Sequence, residues 1–248
     1  MPVALITGAS RGFGHALASA LADRGWSLIV DGRDGEALAA AVSQLSTSEV
    51  TAVAGDVADP GHRRYLAEAV DRAGRLDLLV NNASTLGPSP LPALAEYPIE
   101  DLAEVLRVNS IAPLALTQLV LPALAATGGV VVNVSSDAAV EAYPGWGGYG
   151  ASKAALDHLT AVLAAEAAEA AEKAEKAGIA ETATLRVYAF DPGDMRTAMH
   201  QAAFPGEDIS DRPDPETVVP ALLRLLDERP ASGRYRASAL AVQSGVPA

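Results

Sequence analysis

Short unbroken apolar runs alternate with longer helical patterns along most of this chain. The runs at 3–7, 27–31, 50–54, 76–80, 129–134 and 184–189 are what strands buried on both faces of a parallel sheet require. Between them the apolar period changes. Leu17, Ala20 and Leu21 recur at helical spacing ahead of Gly25, a natural C-cap. Asp34 suits the N-cap of a helix through Leu45, and Pro60 opens another that ends near Ala73. A long helical pattern covers 99–124, where Pro113 predicts a kink. Tyr149 opens a helix that Gly178 ends, and Pro215 to Glu228 is amphipathic. Arg234 to Ala241 reads as a seventh, weaker strand. This alternation predicts α/β architecture: one Rossmann-like domain over 1–248, doubly wound around a seven-stranded parallel sheet, with no linker.

Composition narrows the partners. Half of the 248 residues are hydrophobic, enough for one large core. The net charge of −13 repels phosphate backbones and anionic lipid, so neither nucleic acid nor membrane is an expected partner. Without cysteine there is no disulfide framework and no thiol chemistry. His15, His62, His158 and His200 stand isolated, without metal-ligand spacing, and no metal is expected. The charge-free stretch 108–136 is long enough to span a bilayer, but Pro113, Pro122 and Gly128-Gly129 interrupt it. It reads as a buried helix, a turn and a buried strand. Met1-Pro2 runs directly into a strand with no signal peptide, which suggests a cytoplasmic protein. Residues 161–177 are almost wholly Ala, Glu and Lys, with Glu169–Lys173 and Glu172–Lys176 spaced as helical ion pairs, and predict a solvated helix.

The candidate chemistry falls at or just after strand C-terminal ends, where doubly wound sheets bind ligands. Gly8-Ala9-Ser10-Arg11-Gly12-Phe13-Gly14 lies between the first strand and its helix. Such glycines let a backbone approach a pyrophosphate, and the helix N-terminus favours its charge. Arg33 follows the second strand, where a chain meets an adenosine ribose. Asn81-Asn82 closes the fourth strand and Ser135-Ser136 the fifth. Asn109 is a poor helix-interior residue, which points to a polar purpose. Tyr149 and Lys153, four residues apart, share one helix face. An ammonium beside a phenol lowers its pKa; moving it from about 10 to about 7 takes roughly 4 kcal/mol. The loop 194–213, with Met195, Met199 and Phe204 among acidic residues, reads as a substrate loop or lid.

Together TGASRGFG at 7–14, GDV at 55–57, NNA at 81–83, Asn109, Ser136, YGASK at 149–153 and PGDMRT at 192–197 resemble the classical short-chain dehydrogenase/reductase family, over nearly the whole chain. The resemblance implies that Tyr149 is the general acid or base and that Lys153 tunes it and binds the nicotinamide ribose. It implies that Ser136 bonds the substrate oxygen and that Asn109 holds a relay water. Gly8, Ser10, Arg11, Gly12, Phe13 and Gly14 would form the pyrophosphate turn. Asp56 and Val57 would meet the adenine, Asn82 and Ala83 the adenosine side, and Pro192, Gly193 and Thr197 the nicotinamide side.

Four departures stand out. Ser84 replaces a usual Gly, and Phe13 a smaller aliphatic residue. The Ala/Glu/Lys helix is longer by about ten residues. The C-terminal pattern through which family tetramers assemble is missing, so a homodimer is the expected assembly. The position matching Gly32 usually carries an NADH-selecting carboxylate; here it has no side chain and Arg33 follows. The expectation is an NADP(H)-dependent oxidoreductase for a small carbonyl or alcohol substrate. An NAD(H)-dependent alcohol dehydrogenase, with Asp31 on the ribose, and a non-catalytic nucleotide sensor are the alternatives.

Overall fold

The structure, a computed structural model, describes residues 1–46, 49–178 and 184–240. Seven parallel strands form one sheet in the order β3-β2-β1-β4-β5-β6-β7. They are β1 (Val3–Ile6), β2 (Ser27–Gly32), β3 (Val50–Ala54), β4 (Leu78–Asn81), β5 (Val130–Val134), β6 (Arg186–Asp191) and β7 (Gly233–Arg236). The helices are α1 (Gly12–Asp23), α2 (Gly35–Val42), α3 (Pro60–Ala73), α4 (Ile99–Leu106), α5 (Ala112–Thr127), α6 (Gly147–Lys176), α7 (Ala198–Ala203), α8 (Pro215–Glu228) and α9 (Ala237–Leu240).

The two-residue period of the strands sorts the core into layers. Ala4, Ile6, Leu78, Val80, Val130 and Val132 pack with residues of α1, α2 and α8 on one face. Val3, Leu5, Leu79, Val131 and Val187 pack with residues of α3 and α5 on the other. Each fully buried Val or Leu contributes about 1.5–3 kcal/mol, so both faces hold the sheet in register. The strand order reverses between β1 and β4, and the crevice opens at that point, outside the strand C-termini.

Five expectations change in detail. β4 starts and ends later than 76–80, and β6 runs to Asp191 rather than Ala189. The seventh strand stops at Arg236 and the chain turns into α9; Ala241 lies outside the described residues. An Ala/Leu run reads equally as strand or short helix, and Arg236 marks the last paired residue. The long helix does not simply kink at Pro113. A π-turn at Arg107–Ile111 separates α4 from α5. Pro113 has no N–H to offer the carbonyl of Asn109 four residues back, which explains why the ladder slips there. The loop to Pro213 also contains α7. The Ala/Glu/Lys segment is helical and exposed as expected, with Lys173 Nζ 2.5 Å from Glu169 and Lys176 Nζ 3.6 Å from Glu172.

Candidate active site

At the end of the crevice beside β1 and β2, the glycine turn is held from below. Gly8 (φ 67°) and Gly12 (φ 58°) take left-handed conformations. Gly8 N–H donates to Asp31 Oδ1 at 2.6 Å, and Ala9 N–H to the Asp31 carbonyl at 2.8 Å. Asp31 is 1% exposed, and its other carboxylate oxygen lies 2.9 Å from His62 Nε2. Burial pushes the Asp31 carboxyl above its ordinary pKa, while the bonds from His62 and Gly8 pull it back. β2 continues through Gly32, so Asp31 stays in the strand and is committed to the turn. A Cβ at Gly32 would stand 3.2 Å from Ser10 Cβ and Oγ.

Several residues expected at the cofactor are first of all builders of its cradle. Asn82 Nδ2 donates to the carbonyls of Thr7 (2.9 Å) and Gly8 (3.1 Å). Asn82 N–H and Ala83 N–H both donate to Thr7 Oγ1 at 3.0 Å. Phe13 spends its ring in the core, stacked 5.9 Å from Phe190. Asp56 Oδ1 accepts from Ala58 N–H at 2.8 Å, and buried Val57 gives its carbonyl to Arg63. Arg11 and Arg33 line the crevice, exposed, with no ion-pair partner among the described residues.

At the other end, α6 must approach the segment after β5 closely. Gly150 permits it: a Cβ there would sit 2.6 Å from the Ala138 carbonyl oxygen. Lys153, 2% exposed, donates from Nζ to the Val134 carbonyl at 2.8 Å and lies 5.5 Å from the centre of the Tyr149 ring. Burial pulls its pKa down to about 8, against an opposing pull from Asp157. Tyr149 lines the crevice, partly exposed. Burial of its hydroxyl pushes the pKa up; hydrogen bonding with the Ser84 and Ser136 side chains opposes this, and Asp191 and Asp137 add to it. The protein alone therefore raises the Tyr149 pKa, opposite to the lowering expected from Lys153.

Ser136 Oγ donates to Asp137 Oδ1 at 3.0 Å and accepts from Ala138 N–H at 3.2 Å. Asn109 is fully buried and its amide is fully used. Nδ2 donates to the Thr85 carbonyl (2.8 Å) and Ser152 Oγ (3.0 Å). Oδ1 accepts from Thr85 N–H (2.8 Å) and Ser84 Oγ (3.1 Å). Its side chain thus ties the loop after β4 to α6. The crevice joins both ends in one cleft of about 1380 Å³, which Gly8, Arg33, Ser136, Tyr149 and Lys153 all line.

Comparison with known proteins agrees with this geometry. Residues 2–208 match the family model described as short chain dehydrogenase. The chain belongs to the short-chain dehydrogenase/reductase family. It is 38% identical to serine 3-dehydrogenase of Rhizobium radiobacter over 143 residues, which cover 57% of this chain and 56% of that protein. It is 34% identical to the 3-oxoacyl-(acyl-carrier-protein) reductase of rhamnolipid biosynthesis from Pseudomonas aeruginosa over 147 residues, 56% of each chain. These matches span about half the length of the curated relatives. A short chain dehydrogenase of Shigella flexneri 2a, solved in complex with NADP, superposes with a TM-score of 0.83 at 29% identity, covering 96% of this chain and 97% of that one. The curated relatives it matches are named dehydrogenases and reductases.

Sequence reasoning missed several residues of this family member's cleft. Ser84 was noted only as a missing Gly, yet its hydroxyl donates to Asn109 and favours the Tyr149 phenolate. The Asp31–His62 pair joins residues 31 apart. Trp146 meets Tyr149 edge-on at 5.7 Å and Phe204 at 6.0 Å, so the chain beyond α7 forms one wall with α6. Thr197 Oγ1 caps α7, accepting from His200 N–H at 3.1 Å. Gly193 N–H donates to Asp191 Oδ1 at 3.0 Å, which fixes the turn after β6 with Pro192. Phe204 already stood in the expected substrate loop; the signal available for Trp146 was its type, a large aromatic in a loop beside candidate chemistry.

Proposed function

We propose that this chain is an NADP(H)-dependent oxidoreductase that interconverts a ketone or aldehyde and an alcohol. One observation carries the reading: Tyr149, Ser84 and Ser136 line the same cleft as the glycine turn, with the buried Lys153 Nζ 5.5 Å from the centre of the Tyr149 ring. When bound, the nicotinamide dinucleotide supplies or accepts the hydride. The left-handed turn, with Ser10 and Arg11, would hold its pyrophosphate, and Gly14 lies in the first turn of α1 beneath it. Asp56 and Val57 line the adenine end, and Pro192, Gly193 and Thr197 line the opposite end.

In reduction, Tyr149 gives its proton to the substrate oxygen; in oxidation it takes one. Ser136 turns its hydroxyl from Asp137 to that oxygen. Lys153 keeps its charge below about pH 8 and favours the phenolate. The protein's own upward push on Tyr149 leaves the rest of the lowering to the cationic nicotinamide ring. Since the Asn109 amide is committed, a relay water would rest on its main chain.

Three features support NADP(H) over NAD(H). Ser10 leaves little room for a carboxylate at position 32. Asp31, the other candidate for the ribose, is held by Gly8 and His62. Arg11 and Arg33, without ion-pair partners among the described residues, offer guanidinium forks suited to a phosphate. The NADP bound to the Shigella relative and the reductase activity named for the Pseudomonas relative point the same way.

The test is steady-state kinetics with a panel of ketones and aldehydes. Wild type should prefer NADPH to NADH at least tenfold in kcat/KM, about 1.4 kcal/mol. Arg33→Ala should lose much of that preference through weaker NADPH use. Tyr149→Phe should bind NADPH normally while turnover falls about 10²–10⁴-fold. A Phe variant with more than a tenth of wild-type activity overturns the role of Tyr149, and a wild type preferring NADH overturns the cofactor.

A further inference from the structure

We propose that Arg234, on the edge strand β7, is a positioning residue for the proton-transfer site, fixing Ser136 and offsetting the carboxylates that surround Tyr149. The inference rests on the acid–base reading of Tyr149 given above.

A single guanidinium joins three elements that each carry part of the site. Arg234 Nη2 donates to the Ser136 carbonyl at 2.9 Å and to Asp191 Oδ2 at 3.0 Å. Its Nε donates to Asp157 Oδ2 at 2.9 Å. Ser136 follows β5. Asp191 ends β6 and steers Gly193 with its other oxygen. Asp157 lies one helical turn beyond Lys153 on α6. A planar fork reaches three acceptors in fixed directions; an ammonium on a flexible stem does not. The side chain is only 24% exposed, so solvent does not screen these contacts fully.

The charges around this group are unevenly matched. Asp191 (β6) and Asp137 (after β5) both disfavour the Tyr149 phenolate. Asp157 (α6) supports the Lys153 ammonium. Against them stand Arg234 and Arg236, both on β7. Arg236 is weaker: its Nε lies 3.5 Å from Asp191, and it shares its charge with Glu141 at 3.4 Å. On the lid side Asp194 lies 3.8 Å from His200 and 3.6 Å from Arg212. Tyr143 offers Asp137 a hydroxyl but no charge. Arg234 is therefore the main cation facing Asp191. Without it the Asp191 charge acts on Tyr149 opposed only by the weaker Arg236 among the described residues, Asp157 loses its arginine, and the Ser136 carbonyl loses a donor.

The experiment compares three variants with wild type, using NADP(H) and the best carbonyl–alcohol pair from the substrate panel. Arg234→Met should lower kcat about tenfold through a displaced Ser136 hydroxyl. It should also move the apparent pKa of kcat/KM upward by about half to one unit in both reaction directions. NADPH affinity, read by fluorescence, should change less than about twofold. Arg234→Lys keeps the charge but loses the fork, so its rate should fall while its pH profile stays with wild type. Arg234→Met combined with Asp191→Asn removes one charge of each sign, and the apparent pKa should return toward wild type.

A merely structural arginine would lower activity without moving the profile. The proposal is overturned if Arg234→Met leaves the apparent pKa unmoved or lowers it, or if the second substitution gives no return. It also falls if none of the three variants is soluble, since Arg234 is then a folding residue. A wild type inactive with every cofactor and carbonyl would instead bring down the oxidoreductase reading itself.

Discussion

Replacing Asp31 separates a structural carboxylate from a ribose-binding one. Asp31→Ala leaves Gly8 N–H and the His62 ring without the acceptor they face at 2.6 and 2.9 Å, in a place where the carboxylate is 1% exposed. Breaking a buried pair from one side costs about 3–5 kcal/mol. Part is returned, because burial itself works against this carboxylate. A net loss of about 3 kcal/mol follows. In a chain of 248 residues that lowers Tm by about 6–12 °C. Asp31→Asn keeps an acceptor for Gly8 and a polar amide facing the His62 ring, so it should lose only about 1 kcal/mol.

The pH dependence has a definite sign. The folded Asp31 pKa lies above its ordinary value, so the folded state binds that proton more tightly than the unfolded chain. The contribution favours folding below the unfolded pKa and fades as pH rises through the folded one. Wild type therefore gains on Asp31→Asn as the solution is acidified. Urea unfolding followed by circular dichroism at pH 7 and pH 5 measures both effects. An Ala variant within 1 kcal/mol of wild type would refute the reasoning. So would an Asn variant as damaged as Ala. Affinity for NADPH and NADH should fall by the same factor, because the turn is shared; a loss confined to NADH would show that Asp31 meets the ribose.

Lys153→Met should trade activity for stability. Burial lowers the Lys153 pKa from its ordinary 10.5 to about 8. Holding the ammonium in the fold thus costs about 3 kcal/mol at pH 7, a penalty complete below the folded pKa and gone above the unfolded one. Loss of the donor to Val134 takes back about 1–3 kcal/mol. The Met variant should be at least as stable as wild type at pH 7, lose that margin toward pH 10, and turn over more than a hundredfold more slowly; one destabilised by more than about 2 kcal/mol at pH 7 refutes this. Deleting 166–176, about three turns of exposed helix, should leave soluble protein and kcat unchanged, because exposed pairs such as Glu169–Lys173 are worth only about 0.3–0.5 kcal/mol each. Insoluble protein would place that segment in a core or an interface.

The strands were legible because each is buried on both faces, and such runs tolerate little else than Val, Leu, Ile and Ala. Most cleft residues were legible because the fold puts ligands at strand ends and the chemistry there needs specific types. Pairings over long sequence distance were not. Nothing local in Asp31 or His62 announces the other, and Arg234 reads as an ordinary edge-strand polar residue until β5, β6 and α6 converge on it. Pro113 was correctly marked as a disturbance. Its effect appears upstream, because the missing N–H belongs to a bond that starts at Asn109.

A net charge of −13 opposes a polyanionic cofactor in sum, but near a site the opposition counts only where charges are bare. Beyond about 8 Å at physiological salt, exposed charges are largely screened. Near the adenosine end the carboxylates are occupied. Asp31 serves Gly8, Asp34 caps α2 through Glu36 and Ala37 N–H, and Asp56 serves Ala58. Elsewhere Arg24, Arg75, Arg107, Arg196, Arg212 and Arg224 each face a carboxylate. Arg11 and Arg33 face none among the described residues, and both line the cleft. With the carboxylates held by these donors, the two cations weigh most in the potential a phosphate would meet there, which on the proposed reading is how so acidic a chain would keep a site for NADP(H). On this reading raised salt should weaken NADPH binding more than NADH binding, because only the first carries the extra phosphate; equal sensitivity would remove Arg11 and Arg33 from that role.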